Sequence, residues 1–228
     1  EDAHGKNTAI GYSTLNAQDA GVDAYNVAVG YEAGKTVSTG FYNTIVGGLA
    51  GDALTTGIRN VAIGFVALSA EDTGSQNTAV GAYALEALNY DGAAANTAVG
   101  YYAGPAISTG IQNTLLGAFA GDALTTGSNN TAIGFEALST EDGHSSNTAI
   151  GFQTLKAQNA GVDAYNVAVG HQAGLLVSTG EQNVLIGGKA GDALTTGHYN
   201  IAIGYQALST EDAHGYNVAI GRDALKVQ

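Results

Sequence analysis

Asn7-Thr8-Ala9-Ile10-Gly11 decides the fold, because it returns. With Thr, Val, Ile, Leu and Ala exchanged among its three middle places, the stretch begins again at Asn26, Asn43, Asn60, Asn77, Asn96, Asn113, Asn130, Asn147, Asn166, Asn183, Asn200 and Asn217. The spacings run 19, 17, 17 and 17, and that order is kept three times, so a unit of 70 residues sits above the short one. Self-similarity at so short a period marks a solenoid, whose coils cannot bury their own apolar side and must stack.

Each larger unit divides into coils A to D, which open in the first unit at Asn7, Asn26, Asn43 and Asn60. The repeats span 7–76, 77–146 and 147–216 with a partial one over 217–228, and a single repeat domain over 1–228 is expected. Coil C carries Gly-Asp-Ala-Leu-Thr-Thr-Gly unchanged at 51–57, 121–127 and 191–197, and Ala20–Gly30 recurs letter for letter at Ala160–Gly170. Glu1 to Gly5 matches Glu211 to Gly215 letter for letter, and neither end carries a capping pattern. That predicts a piece of a longer array, or ends covered by something else.

The columns of the motif say which way side chains point. The place after Asn holds Thr, Val or Ile, the third is mostly Ala with Ile45, Leu115 and Leu185 in coil C, the fourth is Ile, Val or Leu, and the fifth is Gly. Alternation puts the second and fourth places on one face and the third on the other, so both faces are apolar. One face fills the coil, and a coil of this length is too thin to bury the other as well. The reading is an all-β, parallel β-solenoid of about 13 coils, stacked at ~4.8 Å into a rod of roughly 60 Å. A second copy of the chain covers the remaining face, which predicts a parallel homotrimer, with a dimer as the alternative, and the small Ala column suits close approach about a shared axis. The glycines at the fifteenth place of coils B and C, among them Gly40, Gly57 and Gly127, read as corners. Segments such as Phe65-Val66-Ala67-Leu68 read equally as a helical turn or a second short strand.

The recurring Asn residues form a ladder, since an amide both donates and accepts and can satisfy its own copies and the neighbouring turn. Composition agrees with an all-β chain of many corners: Gly is 34 of 228 residues, with one Pro and no Cys, Met or Trp. Zero Cys excludes a disulfide scaffold and thiolate zinc. A net charge of −13 disfavours nucleic acid and anionic membranes, no run approaches the ~18 apolar residues of a membrane span, and no stretch reads as a signal peptide.

Asn-Thr-Ala-Ile-Gly at Asn7, Asn130 and Asn147, with its Val variants, resembles the repeats of phage tail fibres and of trimeric autotransporter adhesin heads. The resemblance implies a trimeric fibre of parallel β-rolls, extracellular, on a virion or cell surface, used for attachment to a receptor or glycan.

Variable columns supply the candidate ligand surface: Tyr31, Tyr101 and His171 share a place, as do Tyr42, Gln112 and Gln182, and Tyr102 faces the same region. Aromatic rings stack on sugar faces, and equally on one another as packing ladders. Paired Ser and Thr at 38–39, 55–56, 108–109, 125–126, 178–179 and 195–196 suggest ice binding, but Asp19, Glu71 and Asp72 interrupt the rows. Carboxylates recur at Asp52, Asp122 and Asp192 in coil C and at Glu71-Asp72, Glu141-Asp142 and Glu211-Asp212 in coil D, an edge that Ca²⁺ would bridge, although the oxygen-rich nonapeptide of calcium β-rolls is absent and no cofactor is expected. Of the histidines, His4, His144 and His214 follow the repeat and His171 and His198 stand elsewhere. No phosphate loop, nucleophile elbow or zinc-protease helix occurs, so no catalysis is expected. The readings that remain are a fibre shaft and, as the alternative, a filament subunit that joins head to tail.

Overall fold

The computed structural model describes residues 5–210 and 212–226, so the readings on His4 and Glu211 and on both extreme ends lie outside the described residues. The fold is all-β: thirteen parallel strands of three residues, with no helix among the described residues. The chain forms two compact units, residues 1–112 and 113–228, whose boundary falls inside the second 70-residue repeat. Unit 1 is a parallel β-solenoid of β1 (Thr8–Ile10), β2 (Val27–Val29), β3 (Thr44–Val46), β4 (Val61–Ile63), β5 (Thr78–Val80) and β6 (Thr97–Val99), each paired with the next. Unit 2 repeats the design with β7 (Thr114–Leu116), β8 (Thr131–Ile133), β9 (Thr148–Ile150), β10 (Val167–Val169), β11 (Val184–Ile186), β12 (Ile201–Ile203) and β13 (Val218–Ile220). Register is kept column on column: Ala62 lies opposite Ala79, and Ala132 opposite Ala149.

Each strand is short because its ends are fixed chemically. The Gly that closes it has φ between 126° and 146° throughout, a region L side chains rarely enter. A Cβ on Gly64 would also stand 2.4 Å from the carbonyl oxygen of Gly81, and one on Gly134 would stand 2.2 Å from that of Gly151. Only a bare backbone passes.

After the strand, the expected choice between a helical turn and a second strand is wrong on both counts. The seventh and ninth places are left-handed in coil after coil, as at Val66 (φ 60°) and Leu68 (φ 53°), with an ordinary residue between them. Alternating handedness prevents a helix from propagating and an extended strand from forming. The amides bond to the neighbouring coils instead, Val66 N–H to Gly48 O at 3.0 Å and Leu68 N–H to Ala84 O at 3.0 Å. The residue just before each Asn is left-handed too, at φ 39° to 67°. A non-glycine residue held there costs about 1 to 3 kcal/mol, which the inter-coil hydrogen bonds and packing offset.

Inside the coils the core is small. Ala28, Ala62, Ala79, Ala132 and Ala149, all middle-strand residues, are fully buried, as are Ala67, Leu54 and Leu88. The expectation that the alanine column lines a contact between copies is therefore corrected: alanine turns inward, because the coil is narrow, and the branched columns turn outward. Coil C admits Ile45, Leu115 and Leu185 at the inward place because glycine sits across from them; a Cβ on Gly34 would lie 2.8 Å from Ile45 Cδ1, and one on Gly191 would lie 2.8 Å from Leu185 Cδ2. Large against small is how a narrow interior reaches close packing.

Candidate interaction surface

Outward-pointing strand residues form the exposed side of the sheet in each unit. In unit 2 they are Thr or branched aliphatic side chains from Thr114 and Leu116 in β7 to Val218 and Ile220 in β13, and Leu116 is 46% exposed. No charged residue occupies either column in any coil. The sixth place continues the same alternation past the glycine and adds rings. Phe135 stacks on Phe152 at 5.7 Å and Phe152 on His171 at 5.2 Å, and Arg222 lies over Tyr205 at 5.7 Å. In unit 1, Tyr12 stacks on Tyr31 at 5.5 Å. Single exposed apolar side chains are ordinary, but contiguous columns of them mark interaction surfaces.

The four tyrosines singled out from the sequence separate into different columns. Tyr31 and Tyr101 belong to the sixth place, both about half exposed. Tyr102 is the left-handed neighbour of Tyr101 and stacks on Tyr83 at 4.6 Å, so Tyr83, Tyr101 and Tyr102 form one cluster. Tyr42 precedes Asn43, stacks on Tyr25 at 5.8 Å and has the Arg59 guanidinium 6.0 Å from its ring centre. Tyr12, Tyr25, Phe65, Phe135, Phe152 and Tyr205 are exposed as well, and sequence reasoning passed over them although the same column arithmetic reaches them.

From Asn26 to Asn200 the asparagines are buried and their bonding repeats. The Oδ1 of Asn26 accepts the backbone N–H of Asn43 at 2.8 Å, and Nδ2 donates to the carbonyl of the corner residue Gly40 at 2.8 Å. Asn43 does the same with Asn60 and Gly57, and Asn183 with Asn200 and Gly197. In coils B, C and D each such side chain ties a coil to its neighbour and closes its own corner, whereas in the longer coil A the Nδ2 of Asn77 is buried without a partner and that of Asn147 reaches only Ser145 O at 3.5 Å. Asn7 and Asn217 are half-buried; the backbone N–H of Asn26 donates to Asn7 Oδ1 at 2.7 Å, and that of Asn217 to Asn200 Oδ1 at 3.0 Å.

The carboxylates of coils C and D are not alike. Glu71 and Glu141 turn into the coil interior with no exposed surface. The Oε1 of Glu71 accepts Gly74 N–H at 2.7 Å, and that of Glu141 meets His144 Nδ1 at 2.6 Å. Burial raises both carboxyls above their ordinary range despite those bonds. Asp52, Asp122 and Asp192 are half-buried, and burial raises them too. Among the described residues, three metal-ligating groups meet within 4.8 Å only at Glu141, Asp142 and His144.

In the paired hydroxyl rows the first member is occupied: Thr55 and Thr195 donate to the carbonyls of Asp72 and Asp212 at 2.9 and 2.6 Å. Thr39, Thr56, Thr126 and Thr196 remain exposed. No helix among the described residues is long and apolar enough to cross a membrane. Comparison of this chain with protein-family models, with curated proteins and with solved structures finds no match.

Proposed function

We propose that this chain is the shaft of an extracellular attachment fibre on a virion or cell surface, in which copies of the chain pack through the outward strand columns as a parallel homotrimer. The observation that carries the reading is the exposed, uncharged face of Val, Ile, Leu and Thr on a solenoid whose interior is already full. Seven strands in unit 2, at ~4.8 Å each and about five residues wide at ~3.3 Å, present about 550 Å². Six strands in unit 1 add nearly as much, and stable interfaces bury about 800 Å² on each partner. A chain of charge −13 resists self-association, and this face is where the repulsion is weakest. Attachment to a receptor or glycan is assigned to the exposed rings of Tyr31, Tyr42 and Tyr101 and the half-buried ring of Tyr102, which offer flat apolar faces beside polar tips.

Sedimentation equilibrium and light scattering at micromolar concentration test the assembly. A discrete species of three chains is expected, and Leu116→Thr with Ile186→Thr should shift it toward single chains while leaving the β spectrum intact. A well-behaved monomer overturns the reading, and growth without limit replaces the closed trimer with a head-to-tail filament. For attachment, binding on a glycan array and its loss on replacing Tyr31 and Tyr101 with Ala is the expected result.

A further inference from the structure

The coil D turn reads Glu-Asp-x-His at 1–4, 141–144 and 211–214, but Glu71-Asp72-Thr73-Gly74 in the remaining copy. The copies at 71–74 and 141–144 lie wholly within the described residues, and they differ in how the buried glutamate is satisfied. With Gly74 in the turn, Glu71 Oε1 accepts Gly74 N–H at 2.7 Å and Oε2 accepts Tyr90 N–H at 3.4 Å, so the backbone occupies both oxygens. With His144 there instead, Glu141 Oε1 accepts the His144 backbone N–H at 3.0 Å and meets the ring Nδ1 at 2.6 Å, while Oε2 is buried with no partner. Glu141 has no exposed surface, so bulk water does not reach that oxygen either. A buried acceptor left open is costly unless something fills it.

Three donor atoms meet at this turn. His144 Nδ1 stands 2.6 Å from Glu141 Oε1 and 3.7 Å from Asp142 Oδ1, and the three ligand atoms lie within 4.8 Å of one another. A tetrahedral ion with ligands at about 2.0 to 2.2 Å holds its donors about 3.3 to 3.6 Å apart, inside the span these atoms cover. Access is graded: Glu141 is buried, His144 half-buried and Asp142 exposed, which leaves one side open to solvent. The backbone beneath is fixed, since His144 O accepts Asn130 Nδ2 at 2.9 Å and Asp142 O accepts the Thr125 hydroxyl at 2.7 Å. Among the described residues no lysine or arginine pairs with Glu141 or Asp142, so the two carboxylates have only His144 between them.

We propose that Glu141, Asp142 and His144 form a binding site for Zn²⁺, with His144 Nδ1, one carboxylate oxygen from each acid and a water as its four ligands. Imidazole beside carboxylates suits a borderline transition ion better than Ca²⁺ or Mg²⁺, which take six or more ligands, nearly all oxygen. The ring proton then rests on Nε2. What separates this turn from an ordinary histidine and carboxylate pair is the unfilled Oε2, since such a pair uses Oε1 alone. The site lies in one turn of one coil, so it does not depend on the fibre reading.

The test uses the full chain, ¹⁵N-labelled at histidine, stripped of metal by a chelator and titrated at neutral pH with ZnCl₂ and separately with CaCl₂. Saturable movement of the His144 ring nitrogens, larger at Nδ1 than at Nε2 and with a Kd of about 1 to 100 µM, is expected for Zn²⁺. His144→Gly reproduces the residue that Gly74 supplies in the first repeat, and should remove one equivalent of bound zinc while leaving the β spectrum unchanged. Asp142 is exposed, so Asp142→Asn leaves the coil intact and should weaken zinc binding at His144 at least about tenfold. Glu141→Gln should weaken it as well, while His171→Gln, on the outward face, should leave the His144 response unchanged. No saturable His144 shift below about 1 mM Zn²⁺, an undiminished response in both Asp142→Asn and Glu141→Gln, or Ca²⁺ binding as tightly as Zn²⁺ overturns the proposal.

Discussion

Replacing Asn183 with Ala tests the logic of the ladder at one rung. Asn183 is fully buried; its Oδ1 accepts the Asn200 backbone N–H at 2.9 Å, and its Nδ2 donates to Gly197 O at 2.9 Å. Alanine removes both partners and leaves a backbone donor and a backbone acceptor buried without a bond. Each orphaned group costs about 1 to 3 kcal/mol, so the loss should be about 2 to 6 kcal/mol. A whole domain commonly holds only about 5 to 15 kcal/mol. With a urea slope of about 1 to 3 kcal/mol per molar, the midpoint should fall by a molar or more. Because repeat arrays open locally, hydrogen exchange gives the sharper reading: the Asn200 amide should lose protection before amides several coils away. Asn183→Asp keeps the acceptor for Asn200 but loses the donor to Gly197, and buries a charge besides. A loss from Asn183→Ala below about 0.5 kcal/mol, the size of an ordinary surface change, with an unaltered Asn200 amide, would refute the reasoning.

Three further outcomes are expected. Burial raises Glu71 and Glu141 above the ordinary 4.5, so the folded state holds those protons more tightly than the unfolded state does. Their contribution is fully present below about pH 4.5 and is lost as pH climbs through the raised values; Glu71→Gln with Glu141→Gln should flatten the fall of Tm between pH 4.5 and neutrality. Gly134→Ala sets a Cβ 2.2 Å from Gly151 O at a φ of 135°, and should lower stability by about 3 kcal/mol or more, or prevent folding, as read by circular dichroism during melting. Leu185→Ala empties a fully buried inward place of coil C and should cost about 2 to 5 kcal/mol in urea denaturation, whereas the exposed Leu176→Ala should cost far less.

The coil period, the strands and the parallel register were legible because they rest on spacing, and spacing is written in the Asn and Gly columns. The inward direction of the alanines was not. Alternation says that Ala28 and Val29 face opposite ways, but choosing which is inside requires the width of the coil, and that width depends on the left-handed residues after the strand. Those are invisible in the letters: Val66, Leu68 and Arg59 are residue types that rarely adopt φ of 53° to 60°, and they do so here because the neighbouring coil imposes the same turn. Burial of Glu71 and Glu141 was missed for a related reason. Adjacent Glu and Asp read as one acidic edge, whereas the twelfth place is an inward column that elsewhere holds Leu54, Leu88 and Leu124. The aromatic columns were half seen, since Tyr31 and Tyr101 were picked by their variation within coil B while Phe65, Phe135 and Phe152, at the same place in other coils, were not.

Small residues inside and branched residues outside change what holds this molecule together. A solenoid stabilised mainly by its own core would place Val, Ile and Leu inward, where each would bury its side chain for about 1.5 to 3 kcal/mol. Here most inward strand places are Ala, which buries little, and cohesion within a coil falls to buried leucines after the strand such as Leu54, Leu68, Leu88 and Leu138, to the Asn ladder, the strand bonds and the paired turns. The branched side chains contribute their full burial only when a surface meets them from outside. In the proposed trimer, association would be the step at which these outward strand side chains leave water. That is why outward changes such as Leu116→Thr should weaken assembly more than they disturb the isolated coil.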